Sequence, residues 1–142
     1  MHTSQIFLPV LTQILLTIVM FVGMNIVKNR ALKNGDVDIN KRALHSDAWP
    51  DYVLKFSNNI SNQFETPVLF YALCFMLWAL KAVDVFSLSL AWAFVATRII
   101  HAYVHTSSNY VPVRKRIFMA GCVCLVLMTF LSLQAVFSGQ AI

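Results

Sequence analysis

Charge is what this chain lacks most. Only 12% of its 142 residues are charged, and just 6 are Asp or Glu, whereas an ordinary soluble domain carries about 25%. With 58% hydrophobic residues and a mean hydropathy of +0.68, the apolar side chains exceed what a soluble core of this size buries. Cysteine is scarce too. Cys74, Cys122 and Cys124 all lie inside apolar runs, so neither a disulfide framework nor zinc-ligand spacing is expected. Short alternating segments are missing, which excludes a membrane β-barrel. The start, MHTSQIFLPV, has no positively charged leader region, and no small-residue cleavage site closes the first run, so no cleavable signal peptide is expected.

What remains is four continuous apolar runs. They span roughly 6–27, 58–81, 85–108 and 114–138. A hydrocarbon core of about 30 Å needs about 20 helical residues, so four crossings fit one domain over 1–142. In lipid each backbone polar group must be satisfied internally, which leaves helices as the reading. The expected fold is all-α, an integral membrane four-helix bundle. A polar loop over about 28–56 joins the first two helices, with turn signals at Asn34-Gly35 and Trp49-Pro50. The link around LKAVDVF is short, so the second and third helices form an antiparallel hairpin.

The formal net charge is +5. Its carriers fall in two clusters between apolar runs, a pattern of membrane orientation rather than nucleic-acid binding. Lys28, Arg30, Lys33, Lys41, Arg42 and Lys55 mark the first loop. Arg98, Arg114, Lys115 and Arg116 mark the third, against Lys81 alone on the other side. The expected topology places loops one and three in the cytoplasm and both termini outside.

Polar residues also intrude into the apolar runs. Asn58, Asn62 and Glu65 recur at i, i+4 and i+7, and Arg98, His101, His105 and Asn109 at i, i+3, i+7 and i+11. Each set forms one helical stripe. Arg98 lies 13 residues beyond Val85, about 20 Å of rise, which leaves it about 10 Å short of the far edge of the core. Charges at that depth face a partner or a polar cavity. Glu65 and Arg98 are the expected partners, with Pro67 loosening the backbone beside Glu65 by removing an N–H. A bare register-fixing pair is the plainer explanation of the same residues. Two histidines are too few for a metal site, and none is expected.

NQFETPVLFY and RIIHAYVHTSSNYVPVR resemble the MAPEG family, the membrane-associated proteins of eicosanoid and glutathione metabolism. The resemblance covers nearly the whole chain in layout. Its sharpest points are Asn62 with Glu65, Arg98 with His101, and Pro112 with Arg114. It implies a homotrimer with glutathione bound between subunits. Asn62, Glu65, Arg98, His101 and His105 would line that site, Arg30 would add a cation, and Arg114 would be catalytic by stabilising the thiolate. It implies a transferase or peroxidase acting on a lipophilic substrate. The general appearance of the sequence points to a bacterial inner membrane. Lys55 and Asn58 stand where the family carries arginines, and His105 and Phe118 where it carries tyrosines. These departures point to the alternative, a MAPEG-like scaffold that binds another amphipathic ligand or a protein partner without glutathione chemistry.

Overall fold

A computed structural model describes residues 3–139, and among them there is no β-strand. A short 3-10 turn, Thr3–Ile6, leads into α1, Phe7–Asn34. Then come α2, Asp51–Gln63; α3, Thr66–Ala79; α4, Val85–Thr106; and α5, Val111–Phe137. Three helical stretches, Thr3–Asn34, Val85–Thr106 and Val111–Phe137, are long and apolar enough to cross a bilayer unbroken. The α2–α3 segment is the interrupted fourth rod. The chain is thus an integral membrane four-helix bundle.

The helix bounds differ from the sequence reading in three places. First, α1 continues to Asn34 rather than stopping near residue 27. The added turns, KNRALKN, are polar but good helix formers, so the apolar run ends before the helix does. Gly35 stops it at φ 74°, with Gly35 N–H bonded to Leu32 O and Asp36 N–H to Ala31 O, a left-handed cap that glycine adopts without strain. Second, the loop contracts to about 35–50, because α2 already begins at Asp51 after Pro50. Third, the run expected as one helix over 58–81 is two. The break falls at Phe64 and Glu65, which have non-helical dihedrals, and α3 restarts with Pro67 in its first turn. Pro67 has no N–H for the Gln63 carbonyl, and a proline fits a first turn.

The apolar core occupies the half of the bundle built by α3, the start of α4 and the later part of α5. Phe70 and Phe94 stack at 4.6 Å between ring centres, within a cluster that includes Leu73, Cys74, Leu77, Ala91, Leu125 and Met128. Such an aromatic pair adds about 0.5–1.5 kcal/mol beyond its buried area. At Gly121 an added Cβ would stand 2.9 Å from Thr97 Oγ1, so the α4–α5 approach requires glycine there. Ile6, in the turn before α1, is buried, as are Pro9, Gln13 and Ala31 on α1, while Leu8, Leu11, Leu15, Ile18, Val22 and Ile26 are exposed. That outer face suits lipid, where exposed apolar side chains carry no penalty.

Candidate functional site

The polar half of the bundle starts where α2 ends. A helix terminus leaves its last carbonyls without partners, and Arg98 supplies one: its Nη2 donates to Asn62 O at 3.0 Å. Arg98 is 1% exposed, and its Nε and Nη1 have no partner among the described residues. The expected Glu65–Arg98 ion pair does not form: no contact within 4.0 Å joins them among the described residues, and Glu65 is exposed. The helix break explains the difference. It moves Glu65 off the stripe that an unbroken helix would present to α4, and the guanidinium meets a freed carbonyl instead.

His101 is also buried, at 3% exposure, and neither ring nitrogen has a hydrogen-bond partner among the described residues. Its ring lies 5.9 Å from that of Phe118, and the Arg98 guanidinium lies 5.9 Å from the same phenyl ring. Phe118 on α5 therefore bridges both polar side chains of α4. An open cleft of about 320 Å³ adjoins them, lined by Asn62, His101, Val111, Arg114, Lys115 and Phe118. Arg114 sits on the first turn of α5 and donates from Nη1 to Asn109 Oδ1 at 2.6 Å. Asn109 holds φ 53°, a left-handed conformation that asparagine tolerates better than most residues. The turn 107–110 thus fixes the start of α5 and one face of Arg114 together. Lys55 steadies the same turn by donating to Ser107 O at 2.8 Å.

Of the sequence-derived candidates, Asn62, His101 and Arg114 line this cleft, and Arg98 stands behind it, against Asn62 and Phe118. His105 does not join them. It is 2% exposed, and its Nδ1 lies 3.5 Å from Asn59 Nδ2. Arg30 is exposed on the last turns of α1, and neither it nor Glu65 lines the cleft.

The sequence reading missed a buried amide ladder. Gln13 Nε2 donates to Gln63 Oε1 at 2.8 Å, and Gln63 Nε2 donates to Asn59 Oδ1 at 3.1 Å. With His105 the ladder ties α1, α2 and α4, and Gln13, Asn59 and Gln63 are each at most 1% exposed. The inward stripe of α2 is therefore Asn59 and Gln63, one residue on from Asn58 and Asn62. Asn58 is exposed, and its carbonyl accepts a bond from Asn62 Nδ2 at 2.8 Å. The signal for Gln13 was available: it is a lone amide in an apolar run, and such residues face the bundle interior.

Fold and site together define a membrane-embedded helical bundle with a polar, cation-rich cleft in one half. The MAPEG family model matches residues 6–134, so the chain belongs to the MAPEG family. Neither a curated protein nor a solved structure matches it.

Proposed function

We propose that the protein is a glutathione-dependent transferase or peroxidase that acts on a lipophilic substrate, with the Arg98–His101–Arg114 cleft as its glutathione site. The observation that carries this reading is the set of unsatisfied buried donors. Buried polar groups are nearly always paired, and each exception calls for a reason. Arg98 keeps two N–H groups unpaired in the layer behind an open cleft, where it bonds the carbonyl of Asn62, a residue of the cleft wall. An anionic ligand supplies what they lack, since guanidinium and carboxylate form strong charge-assisted bonds. Glutathione has two carboxylates, one ammonium and a thiol, and the residues present fit its anionic groups.

When bound, glutathione supplies the sulfur nucleophile. The protein's part is to hold and prepare it. Arg98 and His101 bind carboxylate, and Asn62 orients the peptide. Arg114, pinned by Asn109, places a fixed positive charge by the thiol and favours its deprotonated, reactive form. Glu65, exposed at the helix break, is the one acidic candidate for the ammonium, and Arg30 an outer cation. Both act from outside the single-chain cleft, which suits a site completed by a neighbouring copy in a homotrimer. His105 serves by holding α4 against α2. Phe118 and Val111 give the cleft an apolar wall, and a lipophilic substrate arrives laterally from the bilayer. The reading places loops one and three on the cytoplasmic side of a bacterial inner membrane, with both termini outside.

Arg114→Ala tests the assignment. Turnover of a model electrophile such as an activated chlorobenzene, or of a lipid hydroperoxide, should fall at least about 100-fold if a fixed charge stabilises the reacting sulfur, while the melting temperature changes little. Equal losses in stability and turnover would make Arg114 structural. Full turnover in the variant would remove it from the chemistry.

A further inference from the structure

A second cleft lies apart from the first, where the loop folds back over the ends of α1 and α2. Val37 on the loop packs with Ala31 and Val53, and Trp49 and Tyr52 pack against them. Trp49 is held on two sides. Its Nε1 donates to Arg42 O at 3.2 Å, and Lys28 Nζ stands 5.0 Å over its ring. The loop thus encloses a cleft of about 190 Å³.

The cleft is amphipathic by layers. Met24, Val53 and Leu54 line its apolar part, and Lys28, Arg42 and His45 its polar part, with no carboxylate in the lining. None of these three basic side chains makes a hydrogen bond or ion pair among the described residues. Depth supplies the second observation. From Ile6 to Lys28 the chain rises 22 helical residues, about 33 Å, against a hydrocarbon thickness of about 30 Å. Lys28 is the first charge after that run, so it sits at phosphate level with Met24 one turn deeper. Leu44, on the rim of the cleft, is 90% exposed, and Ile39 on the same loop is 59% exposed, apolar groups placed to dip into the headgroup boundary. Trp49 has the amphipathic ring that favours the same interface.

We propose that this cleft is a specific site for an anionic phospholipid, with Lys28 and Arg42 on the phosphate and Met24, Val53 and Leu54 against the upper acyl chain. Basic pockets at helix ends recognise lipid headgroups through charge at a depth water screens poorly. The loop then has two duties: it closes the bundle end, and it ties that end to one class of lipid.

The test is native mass spectrometry of the detergent-purified protein with phosphatidylglycerol and phosphatidylcholine of matched acyl chains. Each cation near the surface contributes about fivefold in binding, so retention of phosphatidylglycerol should exceed that of phosphatidylcholine by up to about 25-fold. Lys28→Gln with Arg42→Gln should bring the ratio to about one. Arg42→Gln alone, at an exposed residue, should lower it about fivefold and serves if the double variant unfolds. Lys33→Gln, on the same helix end but outside the lining, should leave it unchanged. Equal retention of the two lipids by the unaltered protein overturns the proposal, as does an equal loss from Lys33→Gln. Displacement of phosphatidylglycerol by equimolar inorganic phosphate also overturns it, since it would mark a site for soluble anions.

Discussion

Arg98→Met separates a ligand site from a structural pin. The substitution keeps an unbranched apolar stem and removes the charged guanidinium. It deletes the 3.0 Å bond to Asn62 O, and a hydrogen bond to a charged donor contributes about 1.5–3 kcal/mol. It also removes two buried donors that have no partner, Nε and Nη1, each costing about 1–3 kcal/mol while unpaired. The two effects oppose each other, and the second is the larger in total. The ligand-free variant should be as stable as the parent, or more stable by up to about 3 kcal/mol, in line with buried charges replaced by apolar groups of similar volume. Thermal unfolding in detergent, with and without 5 mM glutathione (about the millimolar scale at which a weak site saturates), reads both terms. The parent should gain stability with glutathione and the variant should not. A variant that loses more than about 3 kcal/mol yet keeps the glutathione shift would refute the reasoning, because Arg98 would then be a structural strut and nothing more.

Further expectations rest on local geometry. Gln13→Leu leaves Gln63 Oε1 without its donor and should cost about 1–3 kcal/mol; adding Gln63→Leu should restore part of that, which a double-mutant cycle measures. Lys81 holds φ 54° after α3, so Lys81→Gly should raise stability by about 1 kcal/mol by relieving a left-handed residue, read as a higher unfolding midpoint. Asp84 caps α4 by accepting from Ser87 N at 2.7 Å, and that bond holds its carboxyl below the usual 3.8. A depressed carboxyl stabilises the fold above its unfolded pKa and loses that contribution as pH falls through the folded value. Asp84→Ala should therefore cost about 1 kcal/mol at pH 7, and the difference from the parent should begin to shrink as the pH falls past 3.8 and be gone once it is below the lowered folded value.

Much of the fold was legible because membrane helices announce themselves by length. The stripe on α4 was legible as well. Arg98, His101 and His105 are isolated among apolar residues, so their spacing admits one face only, and all three are buried. The phase of α2 was not legible. SNNISNQ carries amides at almost every offset, so a polar stripe can be drawn through 58 and 62 as readily as through 59 and 63. The break at Phe64–Glu65 then removes the continuity that would extend either stripe into α3. Pro67 signalled the weakness, but the sequence does not say that the chain turns there and hands a carbonyl to Arg98. The end of α1 was hidden for another reason: KNRALKN leaves the apolar pattern behind while the backbone stays helical, and composition tracks lipid rather than hydrogen bonding. The contact from Arg114 to Asn109 depends on a single left-handed residue in a four-residue turn, which hydrophobic periodicity does not record.

Calorimetric titration of glutathione into the detergent-purified protein tests the central claim most directly. Saturable binding is expected that disappears in Arg98→Met and weakens in Arg114→Ala, with both variants still folded. No heat at millimolar glutathione from a folded parent protein would contradict it and leave the cleft to a different anion.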